Sequence, residues 1–175
     1  MLFALAALAC SLAPASAAYP DRVIKIIVPF APGGGTDAIA RVLAQEMAKD
    51  LGGSIIIENK PGAGTIIGAL AVATAESDGY TLLMGSFAHA VNPSLNAKLP
   101  FDPDKDFAPV ALVARSPNIV VVNPKSPLRS IADLIAAAKA EPDKISYGTF
   151  GTGTSAHLAG EMFKHMARVN MTTVP

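Results

Sequence analysis

The chain has no tryptophan, few aromatic residues and no excess of charge of either sign. Aromatic residues make up 6% of its 175 residues, and 14 Lys and Arg residues balance 14 Asp and Glu residues. Proteins that bind nucleic acids carry a basic surface, and those that bind single strands add aromatic side chains on which bases stack. The composition therefore predicts that nucleic acid is not a partner.

Cysteine is nearly absent, because Cys10 is the only one in the chain. It lies within a continuous apolar run that is followed by small residues at alternating positions. This pattern is typical of a signal peptide over residues 1–18, cleaved after Ala17 or Ala18. We therefore expect an exported protein that begins near Tyr19 and has neither a disulfide nor a cysteine-based metal site. Lipidation of Cys10 stays open as an alternative.

Motifs for phosphate and nucleophilic chemistry are also missing. The Gly-Lys-Ser/Thr sequence of phosphate-binding loops does not occur. Neither Ser86 nor Ser155 stands in the Gly-x-Ser-x-Gly motif of hydrolases. His157, Glu161 and His165 recur every four residues on one predicted helix, which fits a metal site or a solvated helix face. Catalysis needs groups that bind the transition state more strongly than the substrate, and the sequence shows no poised base or nucleophile. We therefore expect a binding protein rather than an enzyme.

What the chain does contain is apolar sequence, 51% of the residues, arranged in the alternating order of an α/β fold. Runs of β-branched residues alternate with stretches of helical periodicity, as expected for a parallel sheet with crossover helices. Strands are predicted over residues 23–28, 54–58, 80–85, 110–114, 119–122, 145–149 and 169–174. Helices are predicted over residues 36–51, 65–77, 130–140 and 155–166. Thr36 or Asp37 is expected to cap the first helix, and Ser130 with Asp133 resembles a capping box on the third.

A change of composition divides the chain into two parts. Residues 92–109 are rich in Pro, Asp and Lys, which predicts a surface connection rather than a helix or strand. We therefore expect a first α/β domain over residues 19–107 and a second over residues 108–175. The second is expected to be incomplete, because the chain ends where its last predicted strand has only begun.

Three glycine-rich turns carry the strongest functional signal. They lie at residues 31–37, 61–65 and 151–155, and each precedes a predicted helix. Glycine lets the backbone approach a ligand closely, and the free N–H groups at a helix start attract negative charge. The three loops therefore predict a site for a small anionic molecule, built from the main chain.

One alternative function stays open on the same residues. Gly62, Gly64 and Gly68 resemble the glycine pattern of dinucleotide-binding folds, and Glu58 lies near the position of the acidic residue that such folds use to bind ribose. A Rossmann-like oxidoreductase is therefore a second hypothesis.

Three side chains near the loops have two interpretations each. Asp37 fits either a stabilising carboxylate at a helix start or a ligand contact. Phe30 fits a wall of the site or a plug under the sheet edge. His157, in the first turn of the helix after the third loop, fits a ligand contact or a local cap.

Several separate motifs, in order and at compatible spacing, resemble one family. They occupy residues 19–20, 27–37, 58–68, 78–82, 92–93 and 151–158. Together they resemble the substrate-binding proteins of tripartite tricarboxylate transporters, also called Bug receptors.

This resemblance implies a periplasmic solute-binding protein with two α/β domains and a ligand cleft between them. Such a receptor captures a small carboxylated molecule, such as a di- or tricarboxylate, an amino acid or an aromatic acid, and delivers it to membrane permease subunits. The resemblance implies no cofactor and no catalysis. Because family members are longer than this chain, it also implies that the second domain is truncated at its C-terminal end.

The resemblance further assigns the ligand carboxylate to backbone amides and ordered waters of the first two loops, with the third loop contributed by the second domain. The candidate ligand-binding residues lie on these loops or close to them. They are Phe30, Pro32, Gly33, Gly34, Thr36, Asp37, Gly62, Ala63, Gly64, Thr65, Ser86, Gly151, Thr152, Thr154, Ser155 and His157.

Overall fold

The computed structural model of the chain describes residues 19–175. The predicted signal peptide, its cleavage site and Cys10 lie outside the described residues. Among residues 19–175, no helix combines the length and the apolar character that crossing a bilayer requires.

The first half of the chain forms a three-stranded sheet around a buried central strand. Strand β1 spans Ile24–Val28, β2 spans Ile55–Asn59 and β3 spans Thr81–Leu83. The order is β2-β1-β3, and both neighbours run parallel to β1. A central strand covered on both faces needs apolar side chains on both, and four of the five β1 residues are at most 3% exposed. The prediction of parallel strands joined by helices is confirmed.

Three helices accompany this sheet, and two of their boundaries differ from the predictions. Helix α1 spans Gly35–Leu51 and ends, as expected, at Gly52, whose φ is 65°. Its N-cap is Gly34, because the glycines let the helix begin earlier than predicted. The prediction that Thr36 or Asp37 caps this helix is therefore wrong. Helix α2 spans Ile66–Ala73 and is shorter than predicted.

The third helix was not expected. Helix α3 spans Phe87–Leu95, and the Ser86 hydroxyl caps it by accepting from the amide of Ala88. The prediction that residues 92–109 form a connection is therefore wrong for residues 92–95. The Asn92-Pro93 pair is typical of turns, yet Pro93 is accommodated within the helix.

The second half contains a smaller parallel sheet. Helix α4 spans Ile131–Ala140, β4 spans Ser146–Gly148, α5 spans Ser155–Ala167 and β5 spans Thr172–Val174. Strands β4 and β5 pair in parallel, which confirms the strand–helix–strand order predicted here. The buried residues between these elements are apolar and come from α4 and from the segment before β5. They are Leu134, Ala138, Val169 and Met171.

The start of α4 shows how closely a local pattern can predict a helix end. The Ser130 hydroxyl accepts a hydrogen bond from the amide of Asp133 at 3.1 Å. The Asp133 carboxylate in turn accepts from the amide of Arg129 at 2.9 Å, one residue earlier than in the standard capping box. The predicted reciprocal cap is therefore confirmed with a shift of one residue.

The two strands predicted over residues 110–114 and 119–122 are wrong. In the described structure these residues form no strand, and Val110 and Val121 are 85% and 81% exposed. β-Branched residues favour a strand through packing against neighbouring strands and through burial. Within the described structure, this segment has no neighbouring strand and is not buried.

Glycine is required where α2 crosses the end of β1. A Cβ atom at Gly68 would lie 2.7 Å from the Cβ of Pro29 and 2.9 Å from the carbonyl oxygen of Lys60. Both atoms belong to or adjoin the backbone, so neither can swing away as a flexible side chain would. This close approach brings the second glycine loop against the end of the sheet.

We expect Gly68→Ala to lower the free energy of unfolding by about 1–2 kcal/mol, because overpacking outweighs the ~1 kcal/mol that alanine gains in a helix. Urea unfolding measures the change. Gly85→Ala is the control, since no atom lies within 4 Å of the added methyl group. Equal stability of wild type and Gly68→Ala would contradict the close approach.

A polar cluster joins the elements of the second half. The Tyr147 hydroxyl on β4 and the Thr173 hydroxyl on β5 both donate to Oε1 of Glu161 on α5, at 2.8 and 2.7 Å. The Lys164 ammonium donates to the same oxygen at 2.9 Å. Lys164 first, and then the two hydroxyls, lower the pKa of Glu161 to about 2.

This lowered pKa predicts an acid-sensitive contribution to stability. Because the pKa of Glu161 is lower in the folded than in the unfolded state, its stabilisation is present above about pH 4.3 and is lost as the pH falls toward 2. We expect Glu161→Gln to be less stable than wild type in urea at neutral pH, and the difference to shrink in acid. Glu46→Gln is the control, because Glu46 forms an exposed pair with Lys49 on α1. A difference independent of pH would refute the assignment.

Candidate functional site

The loops that follow β1, β2 and β3 lie at one edge of the first sheet. Because the three strands are parallel, their carboxyl ends point the same way. From β1 the chain passes to β2 on one side and then to β3 on the other, so the strand order reverses between β1 and β3. Ligands of open parallel sheets bind outside the carboxyl ends of the strands at such a reversal. Ser86 and the first glycine loop border it.

The first glycine loop is held by the carboxylate of Asp37, which is 3% exposed. Its Oδ2 accepts from the amide of Gly33 and from Nε of Arg41, both at 2.9 Å. Its Oδ1 accepts from Nη2 of Arg41 at 3.0 Å and from Nδ2 of Asn59 at 2.9 Å. Asn59 also donates to the carbonyl of Phe30 at 3.0 Å, so this network fixes both ends of the loop.

This network also decides the charge of the loop. The Arg41 guanidinium, followed by the amides of Gly33 and Asn59, holds the pKa of Asp37 far below its usual range. Asp37 is therefore an anion at neutral pH, and Arg41, whose pKa it raises, neutralises it. Both carboxylate oxygens are occupied within the protein, which favours a role in shaping the loop. A direct contact between Asp37 and a ligand stays a prediction.

The second glycine loop has an unusual backbone. Gly62, Ala63, Gly64 and Thr65 have φ values of 124°, 47°, 61° and 80°. Positive φ is uncommon for residues other than glycine, and least favourable for β-branched ones such as Thr65. The Asn92 side chain on α3 contacts this loop, since its Nδ2 donates to the carbonyl of Gly64 at 3.0 Å and to the Thr65 hydroxyl at 3.3 Å.

The third glycine loop leads into α5 through a side-chain cap. The Thr154 hydroxyl donates to the carbonyl of Gly151 at 2.8 Å and accepts from the amide of His157 at 3.4 Å. Nδ1 of His157 accepts from the amide of Gly153, also at 3.4 Å. His157 therefore has the local capping contact that was one of its two interpretations, and its ligand contact stays a prediction.

The second and third loops meet beside α3. A Cβ atom at Gly64 would lie 3.0 Å from the carbonyl oxygen of Thr152. A Cβ atom at Gly153 would lie 3.1 Å from Cδ1 of Leu95 and 3.6 Å from Oδ1 of Asn92. Glycine at these two positions thus permits the close approach of the loops, which the sequence alone did not predict.

Comparison with known proteins identifies the family. A model of the tripartite tricarboxylate transporter family receptor matches residues 39–175. The chain belongs to this receptor family. BugT of Bordetella pertussis, strain Tohama I, is 41% identical over 166 residues, which cover 93% of this chain and 51% of BugT. The chain spans about half the length of the curated relatives it matches, with shares of 47%, 49% and 51%.

Solved structures of similar proteins share the fold. An R. palustris protein solved with adipate is 39% identical, with a TM-score of 0.86, and the match covers 90% of this chain and 53% of that chain. The periplasmic binding protein BugD is 36% identical, with a TM-score of 0.79 and shares of 90% and 52%. MatC from Rhodopseudomonas palustris, with bound malate, is 34% identical, with a TM-score of 0.73 and shares of 90% and 54%.

Family membership bears directly on the question of catalysis. The family is one of receptors and not of enzymes, which confirms that expectation and leaves the Rossmann-like oxidoreductase without support. The glycine pattern agrees, because three residues separate Gly64 from Gly68, one more than the dinucleotide fingerprint has.

The candidate ligand-binding residues differ in exposure. Those with exposed positions are Pro32, Gly33, Gly34, Gly62, Ala63 and Thr152. Those that are half-buried are Phe30, Thr36, Gly64, Ser86, Gly151, Ser155 and His157. Asp37, Thr65 and Thr154 are buried. The Ser155 hydroxyl hydrogen-bonds Oδ1 of Asn118 at 3.2 Å.

Three residues that shape the loops were missed by the sequence interpretation. Arg41 could have been found, because it follows Asp37 by four residues on a helix, the spacing of an ion pair. Asn59 gave only the weak signal of a polar residue at the end of a strand. Asn92 lay in a motif of the family resemblance but was given no role, because α3 was not predicted.

The metal interpretation of the row on α5 is not supported. Within residues 19–175, no group of three or more His, Cys, Asp or Glu side chains is placed to hold a metal ion. Glu161 is engaged with Tyr147, Thr173 and Lys164 instead. An open cavity of about 510 Å³ lies along this face of α5, lined by Glu161 and His165 among others, away from the glycine loops.

We expect the Asp37 network to be energetically coupled. Asp37→Asn places an amide NH2 group opposite the donors of Arg41 or Asn59, where the wild type has an acceptor. Arg41→Met leaves the buried Asp37 carboxylate without its cation. Each single variant is therefore expected to lower the urea midpoint. The double variant is expected to lose less than the sum of the two losses, because it leaves no orphaned charge. Asp50→Asn, at an exposed position of the same helix, is the control. Strictly additive losses would show that the pair is not coupled.

Proposed function

We propose that this protein is a periplasmic receptor that binds a small carboxylated molecule and delivers it to the permease subunits of a tripartite transporter. Its signal peptide over residues 1–18 directs export. The relatives support this ligand class, since one was solved with adipate and another with malate, both dicarboxylates. A di- or tricarboxylate is therefore the first candidate, ahead of an amino acid or an aromatic acid.

The observation that carries this proposal is that the glycine loops offer amides, and not cations, to an anion. The three glycine loops contain no Lys or Arg, and the nearest guanidinium, on Arg41, is neutralised by Asp37. The N–H groups at the start of α1 have no partner within the helix and lie among the exposed glycines Gly33 to Gly35. A carboxylate placed there accepts these hydrogen bonds and meets the positive end of the helix dipole.

Reversible capture fits such a site. Main-chain amides add no net charge and no reactive group, so the ligand leaves unchanged. The first two loops belong to the proposed domain over residues 19–107, and the third belongs to the proposed domain over residues 108–175. Closure of the two domains over the ligand would present the permease with a surface that the open form lacks. Phe30, Ser86 and His157 would add the side-chain contacts that select among acids.

Ligand binding is tested first by thermal unfolding of the purified protein with adipate and malate. At about 100 times its Kd, a ligand raises the unfolding midpoint of a domain of this size by roughly 5–10 °C. The diamides of the same acids serve as controls, because they keep the carbon skeleton and lack the charge. Stabilisation by nicotinamide cofactors and by no acid would refute the receptor function in favour of the oxidoreductase.

The role of main-chain amides is tested at Gly35, the first residue of α1. Proline is tolerated at this helix position and removes only the N–H, and the preceding Gly34, at φ −78° and ψ 169°, has the conformation that proline requires of its neighbour. A hydrogen bond to a charged group contributes about 1.5–3 kcal/mol, so we expect Gly35→Pro to raise the Kd by about tenfold or more. Gly35→Ala keeps the N–H and is expected to bind normally. Equal Kd values for the two variants would show that the Gly35 amide does not bind the ligand.

A further inference from the structure

We propose that Asn92 is a positioning residue, which holds the second glycine loop in its strained conformation and links it to the third loop. This inference rests on the proposed function, because it assigns the side chain that keeps two of the binding loops in place. Asn92 is 2% exposed, so it acts on a ligand through the loops and not by direct contact.

The second loop needs such a support. Ala63, Gly64 and Thr65 are three consecutive residues in the left-handed region, and two of them carry a Cβ atom. Strained backbone of this kind persists only where the surroundings hold it. Within the loop, the Thr65 amide donates to the carbonyl of Gly62 at 3.0 Å, which closes the turn but leaves the Gly64 carbonyl and the Thr65 hydroxyl to be bound from outside.

The Asn92 side chain supplies that support. Its Nδ2 group has two hydrogens and donates to both of these acceptors, at 3.0 and 3.3 Å. Thr65 is itself buried, so both bonds lie where water competes little. The backbone of Asn92 is fixed as well, since its carbonyl accepts from the amide and the side chain of Asn96 at 2.9 and 3.2 Å.

The same side chain reaches the third loop. Its Oδ1 lies 3.6 Å from the position a Cβ atom would take at Gly153, and 3.7 Å from the corresponding position at Gly64. Gly64 also approaches the carbonyl of Thr152 closely. A displacement of Asn92 is therefore expected to shift both loops, and a displacement of one loop is expected to shift the other. Asparagine fits this position because it combines two donors with a short, compact side chain.

The test compares Asn92→Leu, which keeps the size but removes the donors, with Ser94→Ala at an exposed position of the same helix. Two quantities are measured on the purified protein: the Kd for adipate and malate, and the hydrogen exchange of residues 62–66 and 150–155. We expect Asn92→Leu to raise the Kd by about tenfold or more and to speed exchange in both segments. Ser94→Ala is expected to leave both quantities unchanged.

A rescue variant separates positioning from general stability. In the Asn92→Leu background, Thr65→Gly relieves the strain at φ 80°, because glycine adopts this conformation freely. We expect it to restore most of the lost affinity. A lower unfolding midpoint in Asn92→Leu, with an unchanged Kd and unchanged exchange in both loops, would overturn the proposal, as would a failed rescue.

Two further outcomes are also decisive. Should Asn92→Leu fail to fold, Asn92→Ser replaces it, because serine is too short to reach both acceptors, and the same two readouts apply. If the wild type binds no acid, the proposed function fails, and loop exchange alone decides the role of Asn92. Faster exchange in both segments would then support positioning, and equal exchange would refute it.

Discussion

The hydrogen bonding of β1 to strands on both sides is the constraint on which the rest of the structure depends. The amide of Ile24 donates to the carbonyl of Ser54 at 3.0 Å, and that of Lys25 donates to the carbonyl of Tyr80 at 2.8 Å. Because β1 is central and both neighbours run parallel to it, three successive loops reach the same edge of the sheet. The first two glycine loops and Ser86 are neighbours for this reason.

Charge is balanced inside the protein at this edge, so in the proposed function the main chain would meet the ligand. A buried carboxylate is tolerated only when it is paired and hydrogen-bonded, and Asp37 satisfies both conditions through Arg41, Asn59 and the amide of Gly33. The pair contributes little field of its own. In the proposed function, the attraction for an anion would come from amides at helix starts, which suits a receptor that must release what it binds.

The sequence predictions were accurate where local interactions decide the structure, and they failed where contacts between distant residues decide it. Strand β1 and helix α5 were predicted well, since β-branched residues and helical periodicity act locally. Helix α3 was missed, because Asn92 and Pro93 favour a turn locally, whereas distant contacts of Asn92 with Gly64 and of His89 with two Phe rings support the helix. The expected strands within residues 110–122 failed for the opposite reason, because their β-branched residues have the propensity but no paired neighbour in the described structure.

The sequence by itself determined the parallel α/β order, the three glycine loops and the family, because these depend on local propensity, on the freedom of glycine at positive φ and on motif order. Only the tertiary structure decided which side chains hold the loops. Asn59 reaches Asp37 across 22 residues, and Asn92 reaches Gly64 across 28. Contacts over such separations depend on strand register and helix placement, which no local pattern specifies.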